Sequence, residues 1–188
     1  MNWRVALIVL AGVLAIALLV WLLTAGGPQA QRPQAQDALE LPTPTPAPEQ
    51  RVILLFTGRD GFLHPELRSV PLPDEVDQRI RVVMRELLAG PSAGSPLAPV
   101  VPYVANLEGV FVDDHGNAFV DLTPPPEPLG GSSTELLMAY GIVDSIILNC
   151  PEVSAVQILL GGHEVPTLTG HLDFSKPLVL NKRFIAPS

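Results

Sequence analysis

A long run of apolar residues near the N-terminus limits what this chain can fold into more than any other feature. Residues 5–23 read VALIVLAGVLAIALLVWLL, with no charge and no strong hydrogen-bonding side chain. At about 1.5 Å per residue this makes a helix of about 28 Å, close to the hydrocarbon thickness of a bilayer. Only a helix satisfies its own backbone polar groups there. We therefore predict that residues 1–25 form a transmembrane signal anchor, which includes Val5, Leu10, Leu14, Leu18 and Leu23.

A cleaved signal peptide is the alternative to a retained anchor. Signal peptides use a shorter apolar region of roughly 7–15 residues and end at a small-x-small cleavage site. No clean site of this kind follows Leu23, and no cysteine follows to make a lipoprotein. Arg4 and the α-amino group precede the run and only Arg32 follows it closely, which favours an N-terminus inside and the rest of the chain outside.

Residues 26–50 have the composition of a linker. The second half contains the uncharged stretch LPTPTPAP at residues 41–48, in which prolines alternate with other residues. Proline at this density blocks helix and sheet and keeps the chain extended. We predict a tether between the anchor and a folded domain at residues 51–188.

Charge and cysteine content exclude several functional classes. The chain has 11 basic and 19 acidic residues, a formal net charge of −8, which argues against nucleic acid as a partner. Its single cysteine, Cys150, has no second cysteine with which to form an internal disulfide. We predict that Cys150 is a buried thiol at the end of a helix.

The rest of the chain alternates between strand and helix patterns. Apolar β-branched runs bounded by turn residues predict strands, and apolar residues at helical spacing predict helices. On the first helix, Arg79, Arg81 and Arg85 are interleaved with acidic residues, which indicates a solvated face with ion pairs. The predicted order is a strand at 52–57, a strand at 67–72, a helix at 74–89, strands at 104–112 and 118–122, a helix from 132 to 150, a strand at 156–160 and a short return at 163–165.

This order predicts an α+β fold. Two amphipathic helices need an apolar surface to cover, and a small mixed β-sheet with one covered face provides it. We expect a two-layer sandwich of two helices on that sheet, made of a hairpin followed by an αββαβ core. At the start of the second helix, Ser132 and Glu135 have the spacing of a capping box.

These segments together resemble the GerMN domain family of spore germination and sporulation proteins. The resemblance rests on RVILLF, VPLPDEVDQRIRVVMRELLAGP, LEGVFVDDHGNAFVDL, GGSSTELLMAYGIVDSI and VQILLGGHEVPTLTGHLDFSKPL, in this order. It implies an extracytoplasmic domain without known enzymatic activity or cofactor, whose core is similar to the ring-building motif of secretion and sporulation channel proteins. It also implies a single-pass protein of the bacterial inner (cytoplasmic) membrane, with envelope proteins or peptidoglycan as partners and possible homo-oligomers.

A cell-wall hydrolase or metal-dependent enzyme is the alternative function. The closest approach to a ligand cluster is His163, Glu164, His171 and Asp173, whose spacing is not that of a helical zinc motif. The carboxylates Asp113 and Asp114 lie in a predicted hairpin turn. Unpaired amides at a helix start can dock an anion, sugar or peptide group. The possible ligand or partner surface is therefore Gly130, Gly131, Ser132, Ser133, His163, His171 and Asp173.

Overall fold

The computed structural model describes residues 12–22, 47–168 and 170–187. The chain divides into two units, Met1–Pro44 and Thr45–Ser188, and each is described by itself. In the first unit residues 12–22 form helix α1. Among the described residues, no helix combines the length and the apolarity needed to cross a membrane. The remaining positions of the predicted span, including Val5, Leu10 and Leu23, lie outside the described residues, so the predicted anchor stays a prediction.

The second unit contains the predicted elements in the predicted order. Their bounds are β1 (Glu49–Thr57), β2 (Leu63–Pro71), α2 (Val76–Leu88), β3 (Leu107–Val112), β4 (Asn117–Leu122), α3 (Ser132–Asn149), β5 (Ala155–Leu160) and β6 (His163–Glu164), followed by a 3₁₀ turn at Lys182–Phe184.

Strands β1 and β2 form an antiparallel hairpin sheet of their own. The other four strands form a mixed sheet in the order β3-β4-β5-β6, in which β4 and β5 are parallel and the other pairs antiparallel. A parallel pair needs a crossover connection, and α3 provides it between β4 and β5. The α+β class with two helices on a mixed sheet is therefore confirmed.

The core lies between the helices and one face of each sheet. Helix α2 packs against β1 and β3, helix α3 against β1 and β5, and the two helices pack against each other. On β4 the side chains alternate, with Ala118, Val120 and Leu122 fully buried. Cys150 is buried at the end of α3, as predicted, and burial raises the pKa of its thiol to about 11.

Helix α3 and loop 98–101 come unusually close to each other. A Cβ on Gly141 would lie only 2.0 Å from Cγ2 of Val100. Only a glycine at this position of the helix leaves room for the Val100 side chain, which is itself buried. Gly141 therefore decides how closely the loop approaches the core.

Three strands begin three or four residues away from the predicted positions. Strand β1 begins at Glu49 and not at residue 52. Strand β2 begins at Leu63 and includes Pro65, which pairs with Leu55. Because the amide of Leu55 donates to Oγ of Ser145 on α3, this pair is not hydrogen-bonded across the hairpin, and the missing N–H of Pro65 costs no ladder bond. Strand β3 begins at Leu107, because the amide of Asn106 donates to a side chain, Oγ1 of Thr123.

Candidate functional site

Two adjoining pockets form a groove between the two proline-rich loops of the domain. The first has a volume of ≈520 Å³ and lies between the C-terminal end of α2 and the loop before β3. The second, of ≈420 Å³, lies between that loop and the loop after β4. Both pockets share Pro102 and Tyr103. We call them together the proline groove, lined by residues 88–90, 98–99, 101–105, 125–130 and 134.

The first loop has no regular structure, yet it is fixed at both ends. At its start, the guanidinium of Arg68 donates to the backbone oxygen of Gly90, and the carboxylate of Glu66 accepts from the amide and hydroxyl of Ser92. Further on, Ala98 exchanges two backbone hydrogen bonds with Thr57 at the end of β1, at 3.0 and 2.8 Å. The groove wall is therefore tied to the hairpin sheet.

Tyr103 and Thr123 join the two loops. The phenol of Tyr103 donates to the backbone oxygen of Thr123 at 3.0 Å, and Oγ1 of Thr123 accepts from the amide of Asn106 at 2.8 Å. Burial raises the pKa of Tyr103, which keeps the phenol protonated and able to donate. The tyrosine ring is therefore held in place between the two pockets.

The lining of the proline groove is apolar and almost uncharged. Glu127 is the only Asp, Glu, Lys, Arg or His among the described lining residues. Val104 is 95% exposed there. Pockets lined mainly by apolar residues with few polar groups are typical of ligand-binding sites.

The predicted site at the start of α3 lies beside this groove. Gly130 lines the second pocket, and Gly131 is the N-cap of the helix, with a φ of 80°. Ser132 and Ser133 form the first turn, so Ser132 is one position too late to be the N-cap. The predicted capping box is wrong, because the carboxylate of Glu135 faces the C-terminal part of the chain instead.

Glu135 is fully buried and holds the loop that follows β6. One carboxylate oxygen accepts from Oγ1 of Thr167 at 2.9 Å and from the amide of Leu168 at 2.8 Å. The other accepts from the amide of His171 at 3.1 Å, and Nδ1 of His171 lies 3.5 Å from it. Glu135 therefore joins the first turn of α3 to Thr167, Leu168 and His171.

The other predicted ligand residues lie apart from this arrangement. His163 is exposed on β6, and the carboxylate of Asp173 accepts from the amide and hydroxyl of Ser175, which lower the pKa of Asp173. Within residues 12–22, 47–168 and 170–187, no three His, Cys, Asp or Glu residues form a group that could hold a metal ion.

The acidic hairpin turn has the backbone role that its sequence indicated. One carboxylate oxygen of Asp113 accepts from the amides of His115 and Asn117, and the other from the side-chain amide of Asn117. The bonds from Asn117 contribute most to a lowered pKa for Asp113. This carboxylate is therefore fully engaged in shaping the turn between β3 and β4.

One histidine–carboxylate pair beside a pocket was not predicted. Nε2 of His64 lies 2.9 Å from Oδ2 of Asp60, at the edge of a pocket of ≈400 Å³. The amide of Phe62 also donates to Asp60 and contributes most to its lowered pKa. The lining holds no Ser, Thr, Cys or Lys side chain that the pair would activate. The pair closes the turn between β1 and β2.

Comparisons with known proteins identify a family. The model of the family described as "Germane: Sporulation and spore germination" matches residues 53–166. This match runs from within β1 to just past β6 and covers both loops of the proline groove. None of the curated proteins matches the chain at a significant level.

Solved structures with the same fold include the domains that the sequence resembles. The tandem GerMN domains of the sporulation protein GerM from Bacillus subtilis align with a TM-score of 0.55 and 17% identity. The alignment covers 80% of this chain and 51% of the tandem, so this chain spans about half of the length of that structure. The first GerMN domain alone aligns at 0.52 and 17% identity over 69% of this chain and 97% of that one. A Clostridium perfringens protein named as a lipoprotein aligns at 0.52 and 23% identity over 70% and 87%.

Proposed function

The chain belongs to the Germane family of sporulation and spore germination domains, and from this membership we propose that it is a membrane-anchored, non-catalytic binding module of the bacterial cell envelope. In this proposal the apolar N-terminal run holds the protein in the membrane. The linker carries the folded domain away from the bilayer on the extracytoplasmic side. The domain binds an envelope partner through the proline groove.

The groove is the observation that supports a binding role most directly. It is preformed, since both loops are held by hydrogen bonds to each other and to the hairpin sheet. A preformed apolar surface loses little conformational entropy when a partner is bound. Its most exposed apolar side chain, Val104, is not needed to fill the core.

Two observations support the membrane tether. The described part of the apolar run is helical, and its large apolar side chains are more than half exposed, for example Leu14 at 62% and Leu18 at 60%. A helix that is apolar on all sides is suited to lipid. Two of the fold relatives bear names connected with the cell envelope or with sporulation, a lipoprotein and GerM.

A photo-crosslinking experiment in the source bacterium tests the binding role. A photoreactive phenylalanine analogue is placed at position 104 in the groove, and in a matched control at position 67, which is 61% exposed on β2. We expect a discrete adduct from position 104 and none from position 67. Equal labelling from both positions, or none from either, would contradict the proposal.

Two assays, one on isolated membranes and one on the purified full chain, test the rest of the proposal. Alkaline extraction of membranes leaves an anchored protein in the pellet, so release into the supernatant contradicts the tether. Incubation with insoluble peptidoglycan separates binding from catalysis. Retention without release of soluble muropeptides is expected if peptidoglycan is the partner, whereas release in proportion to the protein added supports the hydrolase alternative.

A further inference from the structure

We propose that the free edge of strand β3 binds a basic, extended peptide segment of a partner protein, which joins the mixed sheet as a further strand. The residues of β3 are not among those that line the proline groove, so this is a second surface beyond the proposed function. Unpaired backbone groups at this edge, an exposed aromatic side chain beside them and acidic residues at both ends of the strand support it.

The ladder between β3 and β4 directs the backbone groups of Val110 and Val112 away from β4. The amide of Asp113 donates to the backbone oxygen of Asn117 at 3.0 Å, so this pair at the hairpin end is hydrogen-bonded. Bonded and non-bonded pairs alternate along an antiparallel ladder, so Val112 and Val110 belong to non-bonded pairs. The guanidinium of Arg81 on α2 donates to the outward oxygen of Val110 at 3.1 Å. Within the described part of the chain, the two amides and the oxygen of Val112 have no partner.

The other strand edges of the described domain are closed by different means. At the free side of β1, Asn149 and Ser145 bond the backbone. On β2, Pro65 faces away from β1, and Pro71 lies an even number of residues further on and faces the same way, so neither offers an N–H. Strand β5 pairs with Leu178 and with β6, which is only two residues long. Strand β3, in contrast, holds no proline, and a side chain bonds only one of its outward groups, so it is the edge most open to an added strand.

An exposed aromatic pair lies beside this edge. Phe111 is 62% exposed, and its ring centroid lies 6.0 Å from that of Phe119 on β4. Phe119 alternates with the buried Ala118 and Val120, so the two rings lie on the face of the sheet that is turned away from the core. That face of an antiparallel pair is ordinarily polar. A side chain of an added strand next to Phe111 packs against the ring, as neighbours across strands do.

The acidic residues at both ends of β3 select a basic segment. Glu108 is exposed near the start of the strand, and Asp113 and the exposed Asp114 follow its end. Hydrogen bonds lower the pKa of Asp113, so it is ionised at neutral pH. The positive charge of Arg81 lies at the middle of the strand, away from both ends. Lys or Arg side chains of a bound segment therefore meet charges of opposite sign at either end.

A second copy of β3 fits this edge less well than a basic segment. Two β3 strands related by a two-fold axis pair antiparallel, which brings Glu108 of each copy near Asp113 and Asp114 of the other. Like charges opposite each other across two strands are destabilising. The occupant is therefore a segment of a different protein, bound by main-chain hydrogen bonds and oriented by its charges.

The first experiment selects peptides on the full chain in detergent micelles. The probe is a random library of peptides of about seven residues, a length within the range of ordinary strands. We expect the enriched peptides to carry Lys or Arg and to alternate β-branched or aromatic residues with others. Enrichment of acidic or proline-rich peptides, or no enrichment, overturns the inference.

Two substitutions at one position test the backbone contact. Val112→Pro removes an outward amide and no ladder bond, as Pro65 does in β2. Val112→Thr keeps the amide and the branched shape. The most enriched peptide, labelled and followed by anisotropy, should bind the proline variant about tenfold or more weakly and the threonine variant within about threefold of the wild type. Equal affinity for the two variants overturns the inference.

Two charge reversals test the selection of a basic segment without placing a proline in β3. Glu108→Lys reverses a charge at the start of the strand, and Glu127→Lys makes the same change at an exposed residue of the proline groove. We expect the affinity to fall by about fivefold or more for the first and to stay within about twofold for the second. Equal losses overturn the inference.

Amide hydrogen exchange locates the bound peptide. The amide of Val112 should exchange at least about fivefold more slowly with the peptide bound, whereas the amide of Leu67, which points outward from β2, should be unchanged. Slowing at both amides, or at neither, overturns the inference. These results are independent of the adduct at position 104, which tests the proline groove, so either proposal can fail alone.

Discussion

Helices α2 and α3 pack against each other in one core, but their polar side chains lie in different places. Helix α2 buries an apolar stripe and places its charged side chains at the surface or on neighbouring elements, as in the 2.8 Å ion pair between Arg79 and Glu152. Helix α3 is buried over most of its surface and carries polar residues inside the fold, where they are bonded to other segments of the chain.

Polar side chains of α3 hydrogen-bond backbone groups of β1 that no neighbouring strand pairs with. Strand β1 has a partner strand on one side only. On its other side, Asn149 binds both the amide and the oxygen of Ile53, and Ser145 accepts from the amide of Leu55. Towards the C-terminus, Asp144 accepts from the amide of Asn181 at 3.0 Å. Together with Glu135, these residues make α3 the connection between the hairpin, the mixed sheet and the C-terminal segment.

This difference has an energetic consequence. A buried backbone donor left without a partner costs about 1–3 kcal/mol, whereas an exposed ion pair contributes about 0–1 kcal/mol. Substitutions in α3 that leave a backbone group without its partner should therefore lower the free energy of unfolding much more than charge substitutions on α2. Four variants test this contrast.

The largest effect is expected for Glu135→Ala. It removes the acceptor for Thr167, Leu168 and His171 from a fully buried position, and we expect a loss of about 3–4 kcal/mol in the free energy of unfolding. Urea denaturation of the chain lacking residues 1–25 measures it. The control Glu135→Gln keeps one oxygen acceptor and should lose clearly less. Equal losses would contradict a hydrogen-bonding role for the carboxylate.

Asp144→Asn should raise the free energy of unfolding at neutral pH, whereas Glu135→Ala lowers it. Burial raises the pKa of Asp144 to about 6, and its Oδ2 has no hydrogen-bond partner among the residues that the structure describes. A raised carboxyl pKa means that the folded state binds the proton more tightly than the unfolded state. This contribution to stability is fully present below the unfolded pKa of about 4 and is lost as the pH rises through 6.

The wild-type chain therefore carries an ionised buried carboxylate at pH 7, at a cost of up to about 3 kcal/mol. We expect Asp144→Asn to be more stable than the wild type at pH 7, with the difference shrinking towards pH 5. Urea denaturation at several pH values measures this difference. Asp114→Asn, in the exposed hairpin turn, is the matched control. A constant difference across the range would refute the assignment to Asp144.

Asn149→Ala should destabilise the domain by about 2 kcal/mol, because it leaves the amide and oxygen of Ile53 without their partner. Amide hydrogen exchange provides a local measurement. Protection of the Ile53 amide should fall more than that of Val120, which lies in the mixed sheet. Loss of protection spread evenly over both sheets would indicate that Asn149 does not act specifically on β1.

The smallest effect is expected on α2. Arg85 is exposed, and its contact with Glu86 at 3.4 Å is weak. Arg85→Ala should change the free energy of unfolding by no more than about 0.5 kcal/mol. Thermal denaturation at low and high salt checks this. A loss comparable to that of Asn149→Ala would remove the contrast between the two helices.

Much of the fold was predictable because its elements are locally encoded. The apolar stripe of α2 and the alternation of Ala118, Val120 and Leu122 on β4 follow periods that the sequence displays directly. The turn at Asp113 was also predictable, since Asp hydrogen-bonds the backbone two residues on. The order of the helices and strands also predicted two helices on a mixed sheet, which the structure confirms.

The binding surface was predictable only in outline. The sequence indicated the start of α3, and Gly130 does line the groove. It did not indicate Tyr103 as the residue between the two pockets. Tyr103 acquires its position through Thr123, twenty residues away, and no local pattern encodes such a contact.

The sequence by itself determined the order of the elements in the folded domain and the surfaces that had to be buried. These depend on the period and length of local segments. Only the tertiary structure decided the partners of the buried polar residues. Ser132 and Glu135 have the spacing of a capping box, but Glu135 lies where three donors of a later loop converge. A buried carboxylate takes the partners that the fold brings to it, and those lie more than thirty residues away in the chain.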